Sequence, residues 1–209
     1  YVASYLSDAV EVIDITDPAF PVHLTSVLNG DGGATLVSPT DIQVVDNYLY
    51  VATSNALEIL DLTDPTAPVH AAALSDGDGG AVIQNPNAFV VNGGFVYIAN
   101  PYSLEVIDVQ DPLAPAHSSL LEDQQGGAVL NYCQDIAVSQ KNLLITTYFG
   151  SVLEVVDISN PAVPVHHTFV ANGQGNALLY NPFAIAVVDG YAFVTSIANS
   201  GLEILSLYV

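Results

Sequence analysis

One pattern recurs along the chain, and this repeat limits what the chain can fold into. Its copies begin near Tyr1, Tyr50, Tyr97, Ile145 and Phe193, at spacings of 49, 47, 48 and 48 residues, so four copies are full and the fifth is partial. A repeat of this length forms one supersecondary unit, which cannot bury its own faces. Neighbouring copies must therefore stack to make a core.

The third copy, residues 85 to 132, shows how one unit folds. Short runs rich in β-branched and aromatic residues predict four strands, at residues 87–91, 95–99, 104–109 and 116–121. Asn-Gly-Gly at 92–94 predicts a tight hairpin, and the prolines at 112 and 115 interrupt pairing because they cannot donate to a strand ladder. No window has the periodicity of a helix. The repeat is therefore all-β.

Four antiparallel strands per unit are typical of a β-propeller blade, whose radial packing buries both faces of each sheet. A β-solenoid is the competing architecture, but its coils are usually shorter and lack repeated hairpins. The sequence predicts one all-β propeller over residues 1–209, made of four repeats and a partial fifth. The first strand of each blade is expected to be innermost and most apolar.

The count of strands at the two ends does not balance. The chain starts at a second strand, Tyr1 to Ser4, and stops at a third, Leu202 to Leu207, so both ends carry the same middle pair. Unpaired strand edges are templates for other chains. We expect residues 1–209 not to close a ring alone, but to belong to a longer array or to associate with neighbouring subunits.

The charge of the chain excludes several classes of partner. It carries 22 acidic residues against Lys141 as the single Lys or Arg, for a formal net charge of −21. Nucleic acids, anionic membranes and sulfated glycans all need basic patches, so we expect none of these partners and no membrane insertion. The self-repulsion is smallest in salty, calcium-rich or acidic surroundings, which favours an extracellular or cell-surface location.

Recognisable catalytic motifs are absent from the sequence. It contains no serine-hydrolase elbow, zinc-protease motif or phosphate loop, and its hydrophobic content of 51% supplies a globular core. The single cysteine, Cys133, precedes an apolar strand, where an inert buried thiol is the expected state. We therefore expect no enzyme activity.

The most suggestive constellation is a Glu and a His twelve residues apart in each full copy. The pairs are Glu11 and His23, Glu58 and His70, Glu105 and His117, and Glu154 and His166. If the turn between them is symmetric, each Glu lies opposite its His on one face, as a structural pair. Such a pair should raise the pKa of the His and lower that of the Glu, so stability should peak in mildly acidic solution. Two ligands per blade are too few for zinc.

Aspartates in the loops and turns admit a second interpretation. Asp14, Asp61, Asp108 and Asp157 precede the Asp-Pro or Asn-Pro turns, where such side chains cap backbone N–H groups. The loops at 29–34 and 75–81 alternate acid and glycine in a calcium-like manner, but they lack the EF-hand spacing. Flexible glycine turns are the preferred interpretation, so no cofactor is expected. A weak cation site, for calcium, on Asp31, Asp76 or Asp78 is the alternative.

The third strand and the turn that follows resemble the LVIVD repeat. The stretch LEILDLTDPTAPV, from Leu57 to Val69, carries the resemblance, together with its three other full copies. The resemblance implies propeller blades and a secreted protein of bacterial or archaeal type. Members often have a basic residue where this chain has a Glu. The family implies no shared catalytic site.

These observations lead to two functional hypotheses. The preferred one is a non-enzymatic extracellular structural or adhesive module of a surface protein or fibre, which associates with itself or with other surface proteins. The alternative is a calcium-dependent ligand-binding propeller or a propeller hydrolase of the lactonase or phytase type, in which axial acids hold the metal.

Overall fold

A computed structural model describes residues 1–207 and confirms an all-β propeller fold. Eighteen strands in this range form five antiparallel sheets, which we call the first to fifth blades. The first blade contains β1 (Val2–Ser4), β2 (Ala9–Asp14) and β3 (Val22–Leu28). The second contains β4 (Asp41–Val45), β5 (Tyr48–Ala52), β6 (Ala56–Asp61) and β7 (Val69–Ser75).

The remaining blades repeat this order. The third contains β8 (Ala88–Asn92), β9 (Phe95–Asn100), β10 (Ser103–Asp108) and β11 (Ala116–Glu122). The fourth contains β12 (Cys133–Ser139), β13 (Asn142–Thr147), β14 (Val152–Asp157) and β15 (Val165–Ala171). The fifth contains β16 (Pro182–Val188), β17 (Tyr191–Ser196) and β18 (Gly201–Ser206). The helices of residues 1–207 are single 3₁₀ turns, so none is long enough to cross a membrane.

Local turn chemistry fixes the lower end of each blade, where first strands join second strands and third strands join fourth strands. Gly93 and Gly94 have φ of 60° and 80°, the left-handed values that a tight hairpin between twisted strands requires. In the turn between the third and fourth strands of the second blade, Oδ1 of Asp61 accepts a hydrogen bond from the backbone N–H of Thr63 at 2.6 Å. The hydroxyl and the N–H of Thr63 together lower the pKa of Asp61. Asp61 therefore caps its turn, as its position before the Asp-Pro sequence predicts.

The blades pack face to face in chain order. We call the side of a blade that meets the following blade its forward face, and the side that meets the preceding blade its rear face. Leu57 and Ile59 on the forward face of the second blade pack with Val96, Ile98 and Ile107 on the rear face of the third. Equivalent apolar clusters form at the other three junctions. Each junction is thus a small core built from two copies of the repeat.

The middle strands, rather than the first strands, are the most buried. All six residues of β9 are buried, whereas β8 before it has two buried and three half-buried residues. The first strands β4, β8, β12 and β16 contact one another in succession, as innermost strands do. Their reduced burial follows from this position, because each is an edge strand of its sheet and has a paired strand on one side alone.

The outer faces of the terminal blades are uncovered within residues 1–207. Leu202 and Ile204, on the forward face of the fifth blade, are 61% and 54% exposed, whereas the equivalent Leu57 and Ile59 are fully buried. No strand pairing in this range links the first blade to the fifth. Packing between blades, rather than position in the strand, therefore decides whether these Leu and Ile side chains are buried.

Truncation of equivalent leucines tests this dependence. Leu104→Ala should lower the free energy of unfolding by about 2–5 kcal/mol, because Leu104 is fully buried at a junction. Leu202→Ala occupies the same repeat position on an uncovered face and should cost less than about 1 kcal/mol. Urea unfolding monitored by circular dichroism measures both. Equal losses in the two variants would contradict the junction-core description.

Candidate functional site

Each of the four predicted Glu and His pairs is in contact in the structure. Nδ1 of His70 lies 2.6 Å from Oε1 of Glu58. The same atoms are 2.6 Å apart between His117 and Glu105 and 2.5 Å apart between His166 and Glu154. In the first blade the contact is made by Nε2 of His23, which is 2.8 Å from Oε2 of Glu11. With a proton on the ring nitrogen, the His donates to the carboxylate.

The strand register differs from the directly opposite pairing expected from a symmetric turn. Glu58 on β6 pairs with Ala73, whereas His70 pairs with Leu60, two residues further along the strand. A β-bulge between Ile59 and Leu60 shifts the register. The extra residue turns His70 onto the face that carries Glu58, so the two side chains meet diagonally. The same register shift occurs in the first, third and fourth blades.

In the second to fifth blades, one carboxylate oxygen of the repeated Glu accepts a hydrogen bond from the preceding blade. Oε2 of Glu58 accepts a hydrogen bond from the backbone N–H of Thr35 at 2.8 Å. The equivalent donors are the backbone N–H groups of Val82 to Glu105 at 3.3 Å, Val129 to Glu154 at 3.1 Å and Leu178 to Glu203 at 2.9 Å. All four donors lie on the connections between blades. The carboxylate therefore joins the His of its own blade to the main chain of the neighbour.

Glycines on these connections make room for the His rings. Gly33 and Gly127 have φ of +106° and +99°, a conformation that favours glycine. A Cβ on Gly127 would lie 3.3 Å from Cδ2 of His166, and a Cβ on Gly33 would lie 3.4 Å from Cδ2 of His70. The glycine loop of one blade is thus fitted to the His of the next.

Burial of the carboxylates depends on the neighbouring blade. The side chains of Glu58, Glu105 and Glu154 are 0% exposed, whereas that of Glu11, on the uncovered rear face of the first blade, is 27% exposed. There the hydroxyl of Ser26 donates to Oε2 of Glu11 at 2.5 Å, in place of the backbone N–H that a preceding blade supplies to the equivalent glutamates. The pair itself thus forms without a neighbouring blade, and its full burial is a feature of the blade junction.

The pKa shifts of the glutamates divide in the same way. Burial raises the pKa of Glu58, Glu105 and Glu154, and the hydrogen bonds from the His and the neighbouring backbone only partly oppose it. For Glu11 the hydrogen bonds from Ser26 and His23 prevail and lower the pKa. The expectation of lowered values in all four pairs is wrong for the three buried ones, because desolvation outweighs the favourable contacts there.

The loop aspartates Asp31, Asp76 and Asp78 act as caps of their own loops. Oδ2 of Asp31 accepts from the N–H of Leu28, and Oδ2 of Asp78 accepts from Ser75. Gln125 and Gln174 make the same contact in the other two loops. Asp76 accepts from Ile83, and Asn29, Asp123 and Asn172 do so at equivalent positions. Because neutral amides do equally well, these positions need an oxygen acceptor rather than a charge. The described residues contain no group of three or more metal-ligating side chains.

A shallow cleft of about 330 Å³ lies among the starts of the inner strands. Oδ1 of Asp41 accepts from the N–H of Ile42, and its Oδ2 accepts from that of Phe89 in the next blade. Asp135 makes the equivalent contacts two blades later. Burial raises the pKa of both aspartates, and the charge of Asp135 adds to the shift of Asp41. These carboxylates tie adjacent inner strands together and also line the cleft.

Sequence reasoning missed the inter-blade role of the glutamates and the whole axial cleft. A signal for the first was the Glu itself, which stands at the same place in all five copies: Glu11, Glu58, Glu105, Glu154 and Glu203. A signal for the second was the Asp at the same place in two inner strands, where the other two have Ala88 and Ala184.

Comparisons with known proteins agree with the repeat and the fold. The LVIVD repeat family matches residues 38–73, 88–120 and 132–171. No curated protein sequence matches the chain significantly.

Among solved structures, a protein from Lactobacillus plantarum is 12% identical, with a TM-score of 0.71 over 98% of this chain and 66% of that one. A protein from Bacteroides fragilis described as a candidate 6-phosphogluconolactonase is also 12% identical, with a TM-score of 0.71 over 98% of this chain and 62% of that one. The computationally designed Ika4 protein is 10% identical, with a TM-score of 0.57 over 81% of this chain and 91% of that one. This chain thus spans under two thirds of the length of the two natural proteins, and the likeness shows the fold alone.

The raised pKa values predict how stability depends on pH. Below pH 4.5, the ordinary pKa of glutamate, these carboxyl groups are protonated in both the folded and the unfolded chain. Above that pH the folded chain retains protons that the unfolded chain releases. The free energy of unfolding should therefore fall as pH rises through the folded pKa. In strong acid it should fall again, because Asp61 and Asp157 have lowered pKa values and lose their contribution as they are protonated.

Glu105→Gln, with Glu122→Gln as a control of equal charge in the same blade, isolates the junction. Melting temperature measured between about pH 5 and about pH 8 should change less in Glu105→Gln than in the parent chain. Glu122 is exposed, so its substitution should leave that pH dependence intact. The same flattening in both variants would assign the effect to net charge and contradict the junction explanation.

Proposed function

The chain belongs to the LVIVD repeat family, and we propose that it is a non-enzymatic structural and adhesive module of an extracellular or cell-surface protein or fibre. One observation carries this proposal. The side chains best suited to acid–base chemistry make the same contacts at successive blade junctions. They are Glu58, Glu105 and Glu154 with their His partners. Residues used identically at each junction serve architecture, since a catalytic site needs a unique arrangement.

The remaining reactive groups are also held in structural contacts. Burial raises the pKa of the Cys133 thiol, and its Sγ lies 3.6 Å from the carbonyl oxygen of Leu130, so it is neither ionised nor accessible. Asp41 and Asp135 hold the N–H groups of neighbouring strands. These arrangements support a scaffold over a hydrolase.

The charge of the chain supports an extracellular setting. A formal net charge of −21 with Lys141 as the single strong base gives a surface that repels nucleic acid and anionic lipid. Salt screens this repulsion with a Debye length of about 8 Å at physiological ionic strength. In such surroundings two acidic copies can approach each other closely.

The uncovered terminal faces supply a surface for association with a second copy. The forward face of the fifth blade exposes Leu202 and Ile204, and the rear face of the first exposes Val2 at 46%, with Ile13 half-buried. Internal junctions pair these same two faces, as Leu57 and its neighbours do. A forward face therefore fits a rear face, and head-to-tail contact between copies follows from this complementarity.

Turnover assays test the non-enzymatic part of the proposal. The purified chain should release no product from 6-phosphogluconolactone or from chromogenic esters, with or without added calcium. Turnover that Asp135→Asn abolishes and Glu122→Gln leaves intact would overturn the proposal. Metal analysis of the same sample should find no stoichiometric calcium, and a tightly held ion would favour the hydrolase alternative.

Clustering of beads coated with the chain tests association. Clustering should rise as salt shortens the Debye length from about 30 Å at 0.01 M to about 10 Å at 0.1 M. Ile204→Glu should abolish it, because the new charge lies on the forward face of the fifth blade. Leu113→Glu, on an exposed turn where Leu113 is 59% exposed, adds the same charge and should leave clustering unchanged. Clustering that falls with salt, or that both variants abolish, would contradict head-to-tail association.

A further inference from the structure

Four aromatic side chains form a cluster on the upper end of the propeller, where second strands join third strands and one blade leads to the next. The ring of Tyr132 lies 6.4 Å from that of Tyr102, 6.3 Å from that of Tyr148 and 5.1 Å from that of Phe149, measured between centroids. Tyr102 and Phe149 are 57% and 60% exposed. Tyr132 thus supports two exposed rings from different blades.

The axial cleft opens beside this cluster on the same end of the molecule. Gln134, which lines the cleft, follows Tyr132 by two residues. Asn181 donates through Nδ2 to the carbonyl oxygen of Tyr148 and precedes Phe183, another lining residue, by two residues. Two residues of chain span at most about 7 Å, so the aromatic cluster and the cleft lie side by side. We call the aromatic cluster and the cleft together the upper site.

The polar groups of the cleft suit a ligand with hydroxyl groups. Asp41 and Asp135 accept one backbone N–H on each carboxylate oxygen, and an ionised carboxylate has about four acceptor positions, so further donors can bind. The side chains of Thr40, Asn87 and Gln134 supply both donors and acceptors. A sugar hydroxyl also both donates and accepts, so it can use both kinds of group.

The charge of the site excludes anionic ligands. The cleft contains two carboxylates and no Lys or Arg. Phosphate, sulfate and uronate groups would be repelled there. The exposed rings of Tyr102 and Phe149 offer flat apolar faces, which suit the apolar C–H face of a sugar ring.

We propose that the upper site binds a neutral polysaccharide, with Tyr102 and Phe149 stacking on sugar rings and the cleft around Asp41, Asp135 and Gln134 binding hydroxyl groups. This site deepens the adhesive role proposed above and rests on it. The occupant is an extended chain, because the exposed rings and the cleft lie side by side rather than in one closed pocket.

Affinity electrophoresis tests the site with defined probes. The purified chain is run through native gels that contain galactomannan, xyloglucan, mixed-linkage β-glucan or soluble starch, with polygalacturonate as the anionic comparison. At least one neutral polysaccharide should retard the chain, and polygalacturonate should not. Tyr102→Ala and Phe149→Ala should each weaken that binding about tenfold, which corresponds to about 1.4 kcal/mol for one aromatic contact.

Three further variants separate binding from folding. Phe149→Tyr retains a ring and should keep the affinity, and Gln134→Ala should lower it. Phe20→Ala removes an exposed ring from a turn at the lower end, where Phe20 is 75% exposed, and should have no effect.

Several results would overturn the polysaccharide site. They are no retardation by any of the four neutral polymers, equal retardation by polygalacturonate, or loss of binding in Phe20→Ala to the same extent as in Phe149→Ala. Failure here leaves bead clustering and the absence of turnover unaffected, so the structural role stands or falls separately. Cleavage of a retained polysaccharide would instead contradict the non-enzymatic function while supporting the site.

Discussion

The propeller depends on a buried carboxylate placed between consecutive blades. Glu58, Glu105 and Glu154 each accept one hydrogen bond from a His of their own blade and one from the backbone of the preceding blade. An unpaired carboxylate at such a place would be expensive, since burial penalises its charge. With both oxygens occupied, the group instead links blades at a defined position within an otherwise apolar junction.

The composition of the chain explains why His fills the partner role. With Lys141 as the single Lys or Arg, no ordinary salt bridge is available to three buried glutamates. A half-buried imidazole can donate a hydrogen bond from Nδ1, whether neutral or charged, and so it satisfies the carboxylate without a permanent cation. The glycine loops complete the arrangement, because Gly33 and Gly127 adopt positive φ values and a Cβ at Gly127 would crowd the ring of His166.

Much of this architecture could be predicted from the sequence because it repeats. The period predicted the blade, the prolines and the Asn-Gly-Gly sequence at 92–94 predicted turns, and the fixed spacing identified which Glu and His meet. The register could not be predicted, because the bulge at Ile59 and Leu60 shifts the pairing by one residue without a distinctive local signal. The raised pKa of Glu105 also could not be predicted, since its burial comes from a neighbouring blade rather than from its own strand.

The axial cleft and the aromatic cluster could not be predicted from the sequence either. Asp41 and Asp135 are 94 residues apart, and the four rings come from three separate loops. Only the stacking of blades side by side brings such residues to one end of the molecule. The repeat thus supplies a regular frame, and departures from the repeat supply the surface that distinguishes this chain.

Hydrogen exchange at the backbone N–H of Val82 tests the junction most directly, because this amide donates to Glu105 across the blade boundary. In Glu105→Ala the exchange of Val82 should accelerate by about tenfold or more, as expected for loss of a hydrogen bond to a charged acceptor. The equivalent amides of Thr35 and Val129 should keep their rates, because Glu58 and Glu154 are intact in the same molecule. An unchanged rate at Val82, or an equal acceleration of all three amides, would contradict the account.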